Sequence, residues 1–153
     1  IMIIVPSLTF AAGRETSSSS DGGAKSDKSK YAKSSLGRFR DAKNLINQER
    51  FSDAYNLLAS LAVKTKDETD RQNLLGFTAR KHGNLENAAK HYNRALEINP
   101  SHKGALEYQG ELFLMLGETE KAKNNLRLLK SQCWLGCSEL SKLEAAIANY
   151  STE

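Results

Sequence analysis

From Leu36 onward, small and apolar residues recur at a fixed interval. Between Gln72 and Pro100 the marked positions are Leu75, Gly76, Gly83, Ala88, Tyr92, Ala95 and Pro100. A shift of 34 residues forward brings Gly110, Gly117, Ala122, Leu126 and Leu129 into the same places, and a shift of 34 back brings Ala42, Glu49, Ala54, Leu58 and Leu61. Five coordinated positions across two intervals mark an internal repeat, and a period of this length signals stacked units of secondary structure.

Each unit reads as two antiparallel helices, A and B, that approach closely where a small residue faces its neighbour's backbone. Ala42, Gly76 and Gly110 do this in helix A, and Ala54, Ala88 and Ala122 in helix B. The turn between them falls at His82-Gly83-Asn84 and Leu116-Gly117-Glu118, where glycine suits the left-handed position that closes a helix. Glu49 occupies that place in the first unit, so a different turn or a less regular helix pair is expected there. Asn99-Pro100-Ser101 ends helix B of the second unit, because proline disfavours the helical region for the residue before it. After Ser138, the apolar residues Leu140, Leu143, Ile147 and Tyr150 form one helical stripe. A stack leaves its last apolar face open, so this segment reads as a cap with a polar outer side.

These residues resemble the tetratricopeptide repeat family. Residues 69–102 carry its small, aromatic, alanine and proline positions, and residues 103–136 are similar to a second copy with Trp134 in place of the final proline. Residues 35–68 resemble a degenerate first copy, with Arg38 and Asp41 where the family has large apolar residues. The resemblance implies an all-α right-handed superhelix of three antiparallel helix pairs, filling 36–152 with a capping helix at 138–152. The order of Leu-Glu-Ile-Asn-Pro, Gly-Ala-Leu-Glu-Tyr-Gln-Gly-Glu-Leu and Cys-Trp-Leu-Gly-Cys-Ser-Glu-Leu also resembles small exported bacterial repeat proteins that end in a paired-cysteine segment.

The start of the chain differs in kind. Residues 1–12 are uncharged and mostly apolar, with small residues at Ala11, Ala12 and Gly13 before Arg14. This reads as a truncated secretory signal cleaved near Ala12 or Arg14, with a buried strand as the alternative. A periplasmic or secreted location is expected. Residues 13–35 hold five basic and three acidic residues, one aromatic and a serine run at 17–20, too little apolar surface to offset ordering entropy. They read as a disordered linker.

Composition removes more than it adds. The chain has 153 residues, about one domain's worth, and only two prolines. A net charge of +4, with bases and acids interleaved, does not point to nucleic acid. No run approaches the roughly 18 apolar residues of a bilayer span, so no stable membrane insertion is expected. Two cysteines and three histidines at no ligand spacing argue against a metal site, and no cofactor is expected. His82 reads as a helix-end cap, and His91 and His102 as surface residues. No phosphate loop or nucleophile elbow can be written. Glu107 and Glu111 share a helix face, but nothing apolar in the sequence is positioned to shift either one's acidity, so no catalysis is expected.

The remaining reading is a non-catalytic module that binds a protein or peptide. The resemblance implies a concave groove lined by A helices: Phe39, Lys43 and Ile46 from unit one, Asn73, Phe77 and Arg80 from unit two, Glu107, Glu111 and Leu114 from unit three. The groove would run from basic to acidic and suit a zwitterionic or amphipathic partner. Members of the family that grip a chaperone tail's carboxylate use Lys, Asn, Asn, Lys and Arg where this chain has Phe39, Lys43, Leu74, Gly104 and Tyr108, and one match in five argues against that use. The alternative is a scaffold stacking with copies of itself through its repeat faces. Cys133 and Cys137 are expected to form a disulfide if the chain is exported, with Gly136 ending helix B and turning the chain between them. A redox pair or two free thiols are the competing readings.

Overall fold

The computed structural model describes residues 26–63 and 65–151. The signal-like segment 1–12 and residues 13–25 lie outside the described residues. Seven helices follow one another: α1 Ser26–Asn47, α2 Phe51–Ala59, α3 Thr65–Lys81, α4 Leu85–Ile98, α5 Lys103–Met115, α6 Thr119–Gln132 and α7 Ser138–Tyr150. There is no strand among the described residues. The boundary expected at Leu36 falls inside a helix, since α1 starts at Ser26 and takes in part of the segment read as a linker. Lys28, Lys30, Ala32 and Lys33 are good helix formers, and a helix anchored further along can extend through them.

Each A helix packs on its own B helix, each B helix on the next A helix, and α7 closes the stack against α5 and α6. Three small cores string along it. Ala42, Leu58, Leu61 and Leu75 form the first, Ala79, Ala88, Tyr92 and Leu112 the second, and Leu106, Leu129 and Leu143 the third. Each core draws on neighbouring units, as expected where no unit can bury its apolar face alone. Ala54, Ala88 and Ala122 are fully buried.

The small positions of the A helices meet side chains rather than backbone. A Cβ on Gly76 would stand 2.6 Å from two ring carbons of Tyr92, and one on Gly110 would stand 2.6 Å from Leu143 Cδ1 of the capping helix. The three A-to-B turns share one geometry. The amide of Gly83 donates to Arg80 O and that of Asn84 to Ala79 O; Gly117 and Glu118 repeat this onto Leu114 O and Phe113 O. Glu49 and Arg50 do the same onto Ile46 O and Leu45 O, at 2.9 Å each. This is the paired-bond helix ending that a left-handed residue permits, and Glu49 adopts it at φ 56° beside Gly83 at 86° and Gly117 at 74°. The first unit therefore does not turn differently, because the downstream contacts hold Glu49 in the glycine conformation.

Two histidines expected at the surface are structural. His91 is half-buried between Tyr55 Oη at 3.0 Å and Gln72 Oε1 at 2.7 Å, and burial pushes its basicity down. His102 caps α5, its Nδ1 accepting from the Ala105 amide at 3.0 Å.

Helix α6 ends at Gln132, earlier than Gly136, and Gly136 at φ 85° turns the following loop. The Sγ atoms of Cys133 and Cys137 lie at bonding distance, 2.14 Å, with Cα atoms 5.6 Å apart.

Candidate partner-binding groove

The inner side of the stack is lined by α1, α3, α5 and α7, and it holds two clefts. The first, about 230 Å³, lies between α1 and α3 and is walled by Phe39, Lys43, Asp67, Asp70, Asn73 and Leu74. The second, more open and about 480 Å³, lies among α3, α5 and α7, walled by Arg80, Glu111, Leu114, Met115, Ala146 and Tyr150. Both are built from A helices and the cap, whereas a third and smaller cleft, about 90 Å³, lies among α2, α3 and α4, walled by Tyr55, Thr78 and Asn87.

Phe77 belongs to neither wall and connects aromatic rings across the units. Its ring lies 6.2 Å from Phe51 and 4.9 Å from Tyr108, which in turn lies 6.4 Å from Tyr92. Phe77 and Tyr108 are half-buried, and the Arg80 guanidinium stands 5.7 Å and 5.8 Å from their ring centres. Such contacts favour the cation over the ring faces.

Structure sorts the nine sequence-predicted residues into three kinds. Phe39, Lys43 and Asn73 share the first cleft, and Arg80, Glu111 and Leu114 share the second. Ile46, Phe77 and Glu107 wall neither cleft. Arg80, expected on the groove face, walls the second cleft and is at the same time an inter-unit strut. It is 8% exposed, its Nη2 stands 2.5 Å from Glu111 Oε2, and its Nε reaches Tyr92 Oη at 3.4 Å. The expected run from basic to acidic is thereby cancelled at this point.

Glu107 is corrected as well. It is buried, with Lys142 Nζ of the capping helix 3.5 Å from its Oε1. Burial pushes its carboxyl up to about 7, only partly opposed by Lys142, with Glu111 adding to the rise. The apolar surroundings absent from the sequence reading come from the fold, which lays α7 over α5. Lys142, mostly exposed, is in turn pushed up by the Glu107 carboxylate.

Sequence reasoning missed Asp67, Asp70, Met115, Ala146 and Tyr150 as groove walls. Asp67 and Asp70 lie three and six residues before Asn73, a helical stripe that could have been read. Tyr150 was assigned to the buried stripe of the cap but is 41% exposed and turned to the second cleft. Only the docking of α7 on α5 brings it there.

Among the described residues no helix is long and apolar enough to cross a membrane, and no group of three or more His, Cys, Asp or Glu is placed to hold a metal ion. No curated protein matches the chain. The tetratricopeptide repeat family matches residues 70–102, which are most of the second unit. Among solved structures the chain is similar to the C-terminal TPR-containing domain of a Plasmodium falciparum protein described as FK506-binding. The identity is 14% and the TM-score 0.61, over 84% of this chain and 95% of that one. With seven helices among the described residues and a 34-residue period, the chain has the fold of an all-α tetratricopeptide solenoid.

Proposed function

We propose that this chain is a non-catalytic interaction module that holds an extended peptide or a partner helix along its inner groove. The observation that carries the reading is the placement of the two roomier clefts on the A-helix side, with the half-buried Phe77 and Tyr108 rings in the same helices. Two clefts on one side of the stack, with aromatic rings on the helices between them, suit a chain-like ligand better than a compact one. The test is panning of a displayed dodecapeptide library against the whole chain, followed by titration of the selected peptides. Lys43→Glu and Tyr150→Ala on the groove are expected to weaken capture, and Lys90→Glu, exposed on the outer helix α4, to leave it unchanged. Equal loss in all three would remove the groove reading.

A second reading, a scaffold that associates with its own copies, is favoured by one observation. Trp134 and Leu135 are 82% and 79% exposed on the loop between Cys133 and Cys137, away from both clefts. Light scattering at rising concentration, with Trp134→Ser beside the unchanged chain, separates self-association from capture of other partners. We read the compartment as oxidising and the cysteines as a structural disulfide, supported by their spacing and geometry. Two reactive thiols in unreduced, denatured protein from the native host would overturn both.

A further inference from the structure

Helix α7 closes the stack on a narrow base. Leu143 is the one side chain of the helix that is fully buried among the described residues, and it sits where Gly110 of α5 leaves room for it. Lys130 of α6 reaches Glu144 at 3.0 Å, and Cys133 and Cys137, at bonding distance, join the end of α6 to the start of α7. Further along the helix, Ala146 and Tyr150 wall the second cleft. A terminal element docked in this way belongs to the low-stability end of a fold, where local opening precedes unfolding of the rest.

Beneath this helix lies Glu107 of α5, 2% exposed and 3.5 Å from Lys142 of α7. Burial holds its proton up to about 7, and the charges around it do not reverse this. From α7, Lys142 favours the ionised form and Glu139 opposes it; on α5 itself, Glu111 opposes it. The neighbouring Tyr108 phenol is pushed up by burial and by Glu107 and stays neutral. Arg80 of α3 is bound to Glu111, and α4 and α6 bring Asn93 and Asn125, neutral side chains bonded to Gln109 of α5. Once α7 lifts, the carboxyl meets water and gives up its proton at the ordinary value, near 4.5. Opening therefore releases a proton, and rising pH between these two values favours the open form.

We propose that Glu107 is a proton latch on the second cleft: protonated, it rests beneath α7 and the cleft is whole, and ionised, it lets α7 lift from α5 and carry the Ala146 and Tyr150 wall away. The pairing of Cys133 with Cys137 keeps the lifted helix beside α6, so the change is local. The proposal rests on the groove reading and adds its regulation. Partners seated against Tyr150 are held in mildly acidic surroundings and released in mildly alkaline ones.

Hydrogen exchange of the whole chain, in its disulfide form, tests the latch from pH 5 to 8, corrected for intrinsic rates and repeated in low urea. Amides of residues 143–150 are expected to open with little urea dependence and apart from those of α3 and α4. Their opening constant should rise by roughly 50- to 100-fold over this range. Glu107→Gln keeps the shape and cannot ionise, so the rise is expected to vanish. Lys142→Gln removes the opposing cation and is expected to move the upper end of the rise above pH 7. Opening of residues 143–150 only together with α3 and α4, with their urea dependence, overturns the latch, as does a rise that survives Glu107→Gln. Selected dodecapeptides that shift the Tyr150 resonances are then titrated at pH 6 and pH 8. Binding several-fold weaker at pH 8, and equal at both in Glu107→Gln, is expected; equal affinity in the unchanged chain overturns the regulation of the cleft. Failure to select any groove-bound peptide overturns the groove reading alone, and the exchange data still decide the latch.

Discussion

In the first helix pair the residue that closes α1 is Glu49 at φ 56°, and in the second the residue that closes α3 is Gly83 at φ 86°. The two turns nonetheless make the same pair of backbone hydrogen bonds. A side chain in this conformation costs about 1–2 kcal/mol relative to the usual helical well. The first pair absorbs that cost because Ala42, Ala54 and Leu58 are fully buried, like Ala88 and Tyr92 in the second pair. Packing sets the turn, and the turn residue only adjusts how much it costs.

The pairs also differ in how they fill the contact beneath the turn. The second combines Gly76 with Tyr92, and the first has Ala42 and Leu58 at the corresponding places. An aromatic ring claims the space that a methyl takes in the other unit. The inner position 31 residues after the glycine or alanine of the preceding unit varies more widely, holding Asn73 in the second unit and Glu107 in the third, with Phe39 at the matching place in the first.

The largest expected effect lies at that inner position, because only the third unit puts an ionisable group there. Glu107 moves from 4.5 to about 7 on burial. Below 4.5 both folded and unfolded chains hold the proton; between 4.5 and about 7 only the folded chain does. Stability is therefore fully present below the unfolded value and is lost as pH rises to about 7, by on the order of 3 kcal/mol. Urea midpoints measured from pH 4 to 8 are expected to fall through this window, and Glu107→Gln to flatten that part of the fall. A slope that persists in the variant would assign it to other groups.

Next in size is the contact under the turn. Gly76→Ala is expected to destabilise by about 2 kcal/mol, since the Tyr92 ring is fully buried and cannot withdraw. In a Tyr92→Leu background, which recreates the Ala42 and Leu58 arrangement, the same substitution should cost at least about 1 kcal/mol less. Additive losses in thermal or urea unfolding would show that the two residues are not coupled.

The smallest effect is at the turn itself. Glu49→Gly should stabilise by about 0.5–1 kcal/mol, because relief of the left-handed strain outweighs the extra freedom of glycine in the unfolded chain. Gly83→Glu should destabilise by a similar amount. If Glu49→Gly lowers the unfolding midpoint, the side chain has a stabilising contact that outweighs its backbone.

Much of the fold was legible because it depends on short-range rules. The period of Ala54, Ala88 and Ala122, the turns at Gly83 and Gly117, and the break at Pro100 each follow from local sterics and backbone hydrogen bonding. The groove was half legible. Phe39, Lys43 and Asn73 came together as the resemblance implied, but the stripe of Asp67 and Asp70 beside them was passed over. Helical periodicity tells which residues share a face, and it does not tell which of them a neighbour will cover.

By itself, then, the sequence determined the helices from Leu36 onward, their pairing order, the place of each turn and the closeness of Cys133 to Cys137, all set by residues near one another in the chain. Only the tertiary structure decided that Arg80 is a strut bound to Glu111, that Glu107 lies buried beneath α7 near Lys142, and that Tyr150 faces a cleft. The reason is that burial and charge pairing depend on distances between residues far apart in sequence, and these exist only once the stack has closed.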